Sequence, residues 1–193
     1  RNKICTGMFL ILLVFIGSCE GPPWGCIKGN GNIVSEERLI GEFNKIVSSG
    51  SFVVDILLSN ETALIVETDE NLLPYIETNI QGGTLVLETR NDRCIKSREA
   101  ITIYVDATSI EKLKLSGSGE IYCDNISGEI LELNLSGSGT ISCFGLDLTN
   151  LLTSLSGSGE IKVGGTASTS EYEISGSGNI KGIGLLSDKC YAN

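Results

Sequence analysis

The chain has 193 residues, with 24 acidic against 14 basic residues and a net charge of −10. This balance argues against a surface that binds nucleic acid or an anionic membrane, because counterion release needs a basic face. The chain contains no histidine, which excludes imidazole-based catalytic triads, most catalytic zinc sites and histidine proton shuttles.

The N-terminal residues have the composition of an export signal. Arg1 and Lys3 give a positive start, and Ile4–Ile16 is an apolar run of thirteen residues. A helix needs about 20 apolar residues to span a bilayer, so this run is too short to do so. The pattern predicts that residues 1–18 are a signal peptide.

The sequence Ile-Gly-Ser-Cys at residues 16–19 closes the apolar run and resembles the bacterial lipobox, in which small residues precede an acylated cysteine. We therefore expect Cys19 to carry the lipid and to anchor the chain to a membrane, the outer membrane being the expected location. A signal peptide that ends near a cysteine by chance is the simpler alternative. Residues 19–31 contain Pro22-Pro23 and several glycines, and are predicted to form a lipidated tether.

Basic residues are scattered, and their densest stretch comprises Arg90, Arg93, Lys96 and Arg98. Short runs of like charge are usually solvated. We interpret this stretch as a solvated loop, and a binding patch is the less favoured alternative.

Residues 32–110 lack a strict repeat but contain the alternating apolar residues typical of strands. Gly82-Gly83 predicts a hairpin turn, and a second turn is expected around Pro74. We expect this half to form irregular coils, or a β-layer that caps an exposed sheet edge. The predicted strands are Lys45–Val47, Phe52–Leu58, Ala63–Thr68, Thr84–Thr89 and Ala100–Val105.

An internal repeat dominates the second half. Ser-Gly-Ser-Gly begins at residues 116, 136, 156 and 175, in steps of 20, 20 and 19, and each copy is followed by a variable residue and then isoleucine. Apolar residues alternate with period two on both sides of the glycines, which is strand periodicity. The repeat positions are Gly117, Gly119, Ile121, Gly137, Gly139, Ile141, Gly157, Gly159, Ile161, Gly176, Gly178 and Ile180.

A period of 20 residues with identical residues in register predicts a parallel β-solenoid with one coil per repeat. Neighbouring coils would lie about 4.8 Å apart. We therefore predict an all-β fold in which residues 32–193 form one domain and residues 112–185 carry the strict repeats. Residues 181–193 either cap the stack incompletely or precede further chain.

Five cysteines follow Cys19, and an odd number cannot be paired completely within one chain. Two of them, Cys123 and Cys143, fall at the same inward position of adjacent repeats. The coil spacing would permit a disulfide. A buried thiol behaves as a small hydrophobe, and we favour that interpretation over a bond.

The glycine-rich tetrapeptide does not match a phosphate-binding loop, because a strand follows it instead of a helix. No aspartate recurs at a fixed repeat position, as calcium-binding solenoid repeats require. We expect no catalytic, cofactor-binding or metal-binding residues.

These features resemble the bacterial family called putative auto-transporter adhesin, head GIN domain, over about residues 29–190. Besides the repeat, the resemblance is carried by Gly-Asn-Gly-Asn at 29–32, Phe-Asn-Lys-Ile at 43–46, Asp-Glu-Asn-Leu at 69–72 and Gly-Gly-Thr-Leu at 82–85. It implies a right-handed parallel β-helix in a lipid-anchored or secreted envelope protein of Bacteroidetes-type bacteria. Members usually carry more repeats than the four here, which favours truncation at the C-terminus over an incomplete cap.

We expect a non-enzymatic envelope lipoprotein that serves as an adhesin or as a surface binding or scaffold domain, with an unknown protein or glycan ligand. The alternative is a carbohydrate-active β-helix enzyme, a polysaccharide lyase or hydrolase. Glu120 and Glu160 share an outward column but lie two coils apart, roughly 10 Å. That separation is near the upper limit for an inverting carboxylate pair, about 9.5 Å. Thr140 lies between them, without an aromatic sugar platform.

Overall fold

The computed structural model describes residues 25–90 and 93–192. The predicted signal peptide, the lipidation site Cys19 and the first part of the predicted tether lie outside these residues. Within the described ranges the chain forms a short 3-10 helix, Glu70–Tyr75, and fifteen strands. The strands are β1 (Ile27–Lys28), β2 (Ile33–Glu37), β3 (Lys45–Gly50), β4 (Val53–Leu58), β5 (Ala63–Asp69), β6 (Ile76–Gln81), β7 (Thr84–Thr89), β8 (Ile95–Lys96), β9 (Thr102–Ala107), β10 (Lys112–Gly117), β11 (Glu120–Asp124), β12 (Ser127–Gly137), β13 (Thr140–Gly157), β14 (Glu160–Gly176) and β15 (Asn179–Ala192).

The strands predicted in the first half are all present, as β3, β4, β5, β7 and β9. The hairpin is confirmed, because β6 and β7 pair antiparallel across Gly82-Gly83. Both glycines have positive φ, 56° and 74°, as a tight turn between two strands requires. The turn expected around Pro74 is the 3-10 helix.

Residues twenty positions apart lie on neighbouring parallel strands. Ile121 pairs with Ile141 and Ile141 with Ile161. The last step is nineteen residues, and Ile161 pairs with Ile180. The aliphatic column before the glycines follows the same register: Leu115, Leu135, Leu155 and Ile174.

In each coil the repeat glycines form a turn between two strand segments. At this turn the backbone of one coil is in direct contact with the backbone of the coil before it. Gly137 and Gly157 have φ of +132° and +125°, values open almost only to glycine. A Cβ on Gly157 would lie 2.5 Å from the carbonyl oxygen of Gly137. The amides of Ser138 and Gly139 both donate to the Gly117 carbonyl, at 3.0 Å. The turn therefore fixes the register of each coil on the one before it.

The main sheet is mixed, because its first half contains antiparallel pairs, and a parallel β-helix is therefore not confirmed for the domain as a whole. β2 pairs antiparallel with β5, β5 with β9, and β6 with β7. A two-residue turn such as Gly82-Gly83 reverses the chain and can only join antiparallel neighbours, whereas parallel neighbours need a long connection. The fold is thus an all-β, curled, mixed sheet whose repeat region is parallel.

The first coil consists of β3 and β4, and its position in the stack does not follow the order of the chain. β3 lies between β7 and β10, and β4 lies between β9 and β11, with all four pairings parallel. The chain therefore leaves the stack after β4. Residues 59–111 include β7 and β9, which form the neighbouring coil on one side of β3 and β4. The chain then returns to the other side, where β10 and β11 form the next coil.

The core lies inside the curl of the sheet. Alternation along each strand turns every second residue inward, and side chains such as Ile46, Val54, Leu113 and Ile121 are fully buried. Each such side chain contributes roughly 1.5–3 kcal/mol to stability. No single coil encloses its own apolar face, so this contribution depends on stacking.

Two disulfides cross-link the domain, and the thiol interpretation of Cys123 and Cys143 is wrong. The parallel register brings their Cα atoms to 4.7 Å, and they are bonded, because this separation lies in the range that a disulfide bridges. Cys26 is bonded to Cys94. Cys190 is exposed and unbonded among the described residues.

The folded domain begins earlier than the predicted boundary at residue 32. Cys26 is bonded to Cys94, and β1 pairs in parallel with β8 as a separate two-stranded sheet. Residues 26–31, which the composition assigned to the tether, are therefore attached to the domain. The glycine and proline content predicts a flexible segment, but the Cys26–Cys94 disulfide holds these residues against the domain.

Replacing Gly137 with alanine is expected to lower the free energy of unfolding by at least about 2 kcal/mol, through the forbidden φ and the overlap with Gly117. The measurement is urea denaturation followed by circular dichroism. Gly128→Ala is the matched control on the same strand, because a Cβ there meets nothing within 4 Å. Equal effects of the two substitutions would contradict the backbone contact.

Replacing Cys123 and Cys143 together with valine tests the buried disulfide. Val163 already occupies the next position of this column, so the core should stay filled. The free energy of unfolding should nevertheless fall by about 3 kcal/mol, because a cross-link that closes a 20-residue loop is lost. Under non-reducing conditions the wild-type tryptic peptide of residues 115–162 should be two hydrogens lighter than the dithiol. A dithiol mass would show that the bond is absent.

Candidate functional site

The repeat residues predicted from the sequence build the stack and present little to a ligand. Ile121, Ile141 and Ile161 are fully buried, and Ile180 is partly buried. The repeat glycines lie at the turns, and they offer backbone contacts only. A binding surface must therefore be formed by the outward residues between these columns.

An outward column of side chains crosses the sheet on β5, β9, β4 and β11. Asp55 lies directly between Tyr104 and Tyr122, and Ile65 lies beside Tyr104. The two tyrosines are 40% and 41% exposed, and Ile65 is 37% exposed. We call Ile65, Tyr104, Asp55 and Tyr122 the aromatic–acidic face. Its two tyrosines are separated by two interstrand spacings, roughly 10 Å.

The negative charge of this face extends beyond Asp55. Residues two positions along a strand point to the same side, which adds Glu67, Asp106 and Asp124 from β5, β9 and β11. These side chains are hydrogen-bond acceptors at neutral pH. The face thus combines aromatic rings with carboxylates.

Tyr122 is held in place by a neighbouring carboxylate. Its hydroxyl donates a hydrogen bond to Glu120. This hydrogen bond, burial of the ring and the charge of Glu120 all raise the pKa of Tyr122 above its ordinary value. The hydroxyl therefore stays protonated at neutral pH and can donate to Glu120.

The two carboxylates considered for glycoside hydrolysis are each engaged by neighbouring side chains. Glu160 accepts from Lys162 at 2.8 Å and also pairs with Lys181. These hydrogen bonds lower the pKa of Glu160, whereas a general acid needs a raised pKa. Glu120 is engaged by Tyr122. The arrangement gives no support to the enzyme alternative.

A second polar cluster ties the N-terminal segment to the domain. The Asp69 carboxylate is inaccessible to solvent and accepts from the Gly31 amide at 2.5 Å, the Ser97 hydroxyl at 2.5 Å and the Arg98 amide at 3.2 Å. The Ser97 hydrogen bond is the largest cause that lowers the pKa of Asp69, while burial opposes it. We call these four residues the Asp69 cluster.

The neighbours of the Asp69 cluster explain two of the short motifs in the sequence. A Cβ on Gly29 would overlap the Asp69 carboxylate. Asn71 donates to the Lys28 carbonyl and accepts from the Asn30 amide, both at 2.9 Å. The Gly-Asn-Gly-Asn and Asp-Glu-Asn-Leu segments therefore pack against each other and are joined by these hydrogen bonds.

An apolar cleft of about 460 Å³ opens between the last two coils. Its lining includes Tyr172, Ile174, Ile180, Leu185 and Cys190. Among residues 25–90 and 93–192, no three cysteine or carboxylate side chains lie close enough together to hold a metal ion. The same residues include no helix of the length and apolarity needed to span a membrane.

The family model for putative auto-transporter adhesin, head GIN domain, matches residues 42–193. The chain belongs to this family. No curated protein matches it. The match covers the whole repeat region together with β3–β9, and so includes the aromatic–acidic face.

Solved structures of similar proteins share the architecture of this head GIN domain. A "putative adhesin" from Bacteroides fragilis is 21% identical with a TM-score of 0.81, covering 86% of this chain and 78% of that one. A "putative lipid binding protein" from Parabacteroides distasonis is 27% identical with a TM-score of 0.73, covering 88% and 81%. A "putative adhesin" from Parabacteroides merdae is 21% identical with a TM-score of 0.66, covering 86% and 79%.

The aromatic–acidic face was not predicted from the sequence, because its residues come from strands that do not stack in chain order. Burial of Ile103 and Val105 implies that Tyr104 points outward. A further signal was available in Ser-Gly-Ser-Phe at 49–52, which resembles the repeat and aligns Asp55 with Tyr122. Nothing in the sequence indicated that β9 would lie beside β4.

Replacing Asp69 with asparagine is expected to destabilise the domain in a pH-dependent way. The folded-state pKa of Asp69 lies below its ordinary value of 3.8, so ionised Asp69 stabilises the fold above that value, and this contribution is lost as the pH falls through the folded-state pKa. Urea midpoints should therefore differ between wild type and variant at pH 7 and converge in acid.

Asp55→Asn is the matched control for this measurement, because Asp55 is exposed. Its urea midpoint should stay close to that of the wild type at pH 7. If Asp69→Asn behaved like Asp55→Asn at every pH, the Asp69 cluster would have no role in stability.

Proposed function

We propose that this head GIN domain is a non-enzymatic binding domain of the bacterial envelope, held at the outer membrane by lipid on Cys19, and that its aromatic–acidic face binds neutral, extended glycans. The observation that carries the proposal is the pair of exposed tyrosines on either side of Asp55. The family of adhesin-like domains supports the same class of function.

The chemistry of the face suits a sugar chain. Aromatic rings pack against the C–H faces of pyranose rings, and carboxylates accept hydrogen bonds from hydroxyl groups. The tyrosine separation, roughly 10 Å, is close to the distance between alternate rings of an extended polysaccharide. Asp55 between the rings would then accept from the intervening sugar. The surrounding carboxylates would repel acidic polysaccharides.

The envelope location is supported by the cysteines as well as by the N-terminal pattern. The two disulfides require an oxidising compartment, such as the periplasm or the cell surface. We further propose that the repeat coils wind right-handed, because nearly all parallel β crossovers do. A rigid stack on a lipid anchor holds the binding face at a fixed orientation to the membrane.

Replacing Tyr104 and Tyr122 together with alanine is expected to weaken glycan binding about tenfold or more, because two aromatic contacts are lost. The measurement is titration against immobilised neutral and acidic oligosaccharides, with saturation required. Tyr191→Ala is the matched control, since Tyr191 is 53% exposed but lies on β15. Binding to neutral glycans should persist in high salt.

Three results would overturn the glycan proposal. One is the absence of saturable binding to any neutral glycan, and another is binding that the double tyrosine variant leaves unchanged. The third is retention only of basic proteins, lost in salt, which would assign the face to a cationic protein partner.

A fluorescent fatty acid belongs in the panel, because one solved relative is named a lipid binding protein and the apolar cleft includes Leu185.

A further inference from the structure

Basic side chains converge at the end of the domain where the chain enters it. The parallel pairing of β1 with β8 places Lys28 directly beside Lys96. Paired residues on parallel strands point to the same side, and both lysines are exposed. Ile95 points to the other side and packs on the core. The sequence separates these two lysines by 68 residues, so their proximity is a product of the fold.

The two lysines and Arg98 line a shallow cleft of about 430 Å³, together with Gly29 and Ser97. No acidic side chain contributes to the lining. Within the part of the chain that the structure describes, the ion pairs involve other residues: Arg38, Arg90, Lys112, Lys162 and Lys181. The cleft, which we call the basic cleft, therefore concentrates three cations in a chain whose net charge is −10.

The walls of the basic cleft are fixed from two sides. The Cys26–Cys94 disulfide lies two residues before each lysine and locks the two strands together. The Asp69 cluster holds the backbone of Ser97 and Arg98 from behind. Asp69 accepts from the Arg98 amide and its charge also attracts the Arg98 guanidinium, yet the Arg98 side chain is exposed. A site held in this way loses little conformational freedom when a ligand binds.

We infer that the basic cleft binds the phosphate groups of anionic lipid headgroups and so orients the domain on the membrane that anchors it. The choice of lipid as the source of phosphate rests on the proposed anchor at Cys19. Seven residues separate Cys19 from Cys26, a reach of at most about 25 Å, so the cleft stays close to the headgroups. Lysine and arginine near an anionic surface are attracted to it.

The experiment uses the mature chain, residues 19–193, with Cys19→Ala, which lacks the apolar signal peptide and cannot be acylated, so that binding reports the folded domain and not the anchor. Co-sedimentation is measured with vesicles of neutral phosphatidylcholine and with vesicles that also contain anionic phosphatidylglycerol. The protein should bind the anionic vesicles and not the neutral ones, and binding should weaken with salt. Reversal of two charges, Lys28→Glu with Lys96→Glu, should reduce the binding constant about tenfold or more.

The matched control reverses two exposed lysines elsewhere, Lys114→Glu with Lys189→Glu, and should bind nearly as well as the unreversed chain. If both double variants lost the same share of vesicle binding, the effect would be one of general charge, and the assignment to the cleft would be overturned. Equal binding to neutral and anionic vesicles would overturn it as well. Saturable binding of inorganic phosphate without any retention on anionic vesicles would show that the ligand is soluble phosphate and not lipid. Because the assay needs neither acylation nor the tyrosines, failure of the proposed function leaves its result interpretable.

Discussion

The structure depends on a contact between backbones that leaves no room for a side chain. At each glycine turn, amides of one coil donate to a carbonyl of the coil before it, and the φ angles exclude residues with a Cβ. This contact sets the register at twenty residues. The register in turn decides which residues point inward to the core and which point outward. The same kind of contact, Gly117 against Gly50, places Tyr122 beside Asp55.

The sequence was informative wherever neighbours in space are neighbours in the repeat. Pairing from Leu113 onward could be derived, because the glycines recur at a constant step and the aliphatic residues alternate around them. The first half carries no such period. Its strands could be recognised individually, but the position of β3 and β4 within the stack depends on pairings across long stretches of chain. The Cys26–Cys94 bond and the aromatic–acidic face were missed for the same reason.

The domain separates its charges in space. Carboxylates gather around Tyr104 and Tyr122 on the outward sheet, while Lys28, Lys96 and Arg98 gather where the chain enters the domain. In both places the charged residues come from strands distant in sequence, so composition alone shows only the sum, −10. The two proposed contacts, with an anionic membrane at one place and with a glycan at the other, would both depend on this separation.

The insertion of the first coil between later strands has a kinetic consequence. β4 pairs with β11 across 67 residues, from Val53 to Glu120, whereas the repeat coils pair across only twenty. Closing a longer loop costs more entropy, and contacts between distant residues slow folding. We expect the C-terminal coils to assemble first and the entry end to dock onto them afterwards, an order that pulsed hydrogen exchange can resolve. The N-terminal part of the domain, which is synthesised first, is then the last to reach its final form.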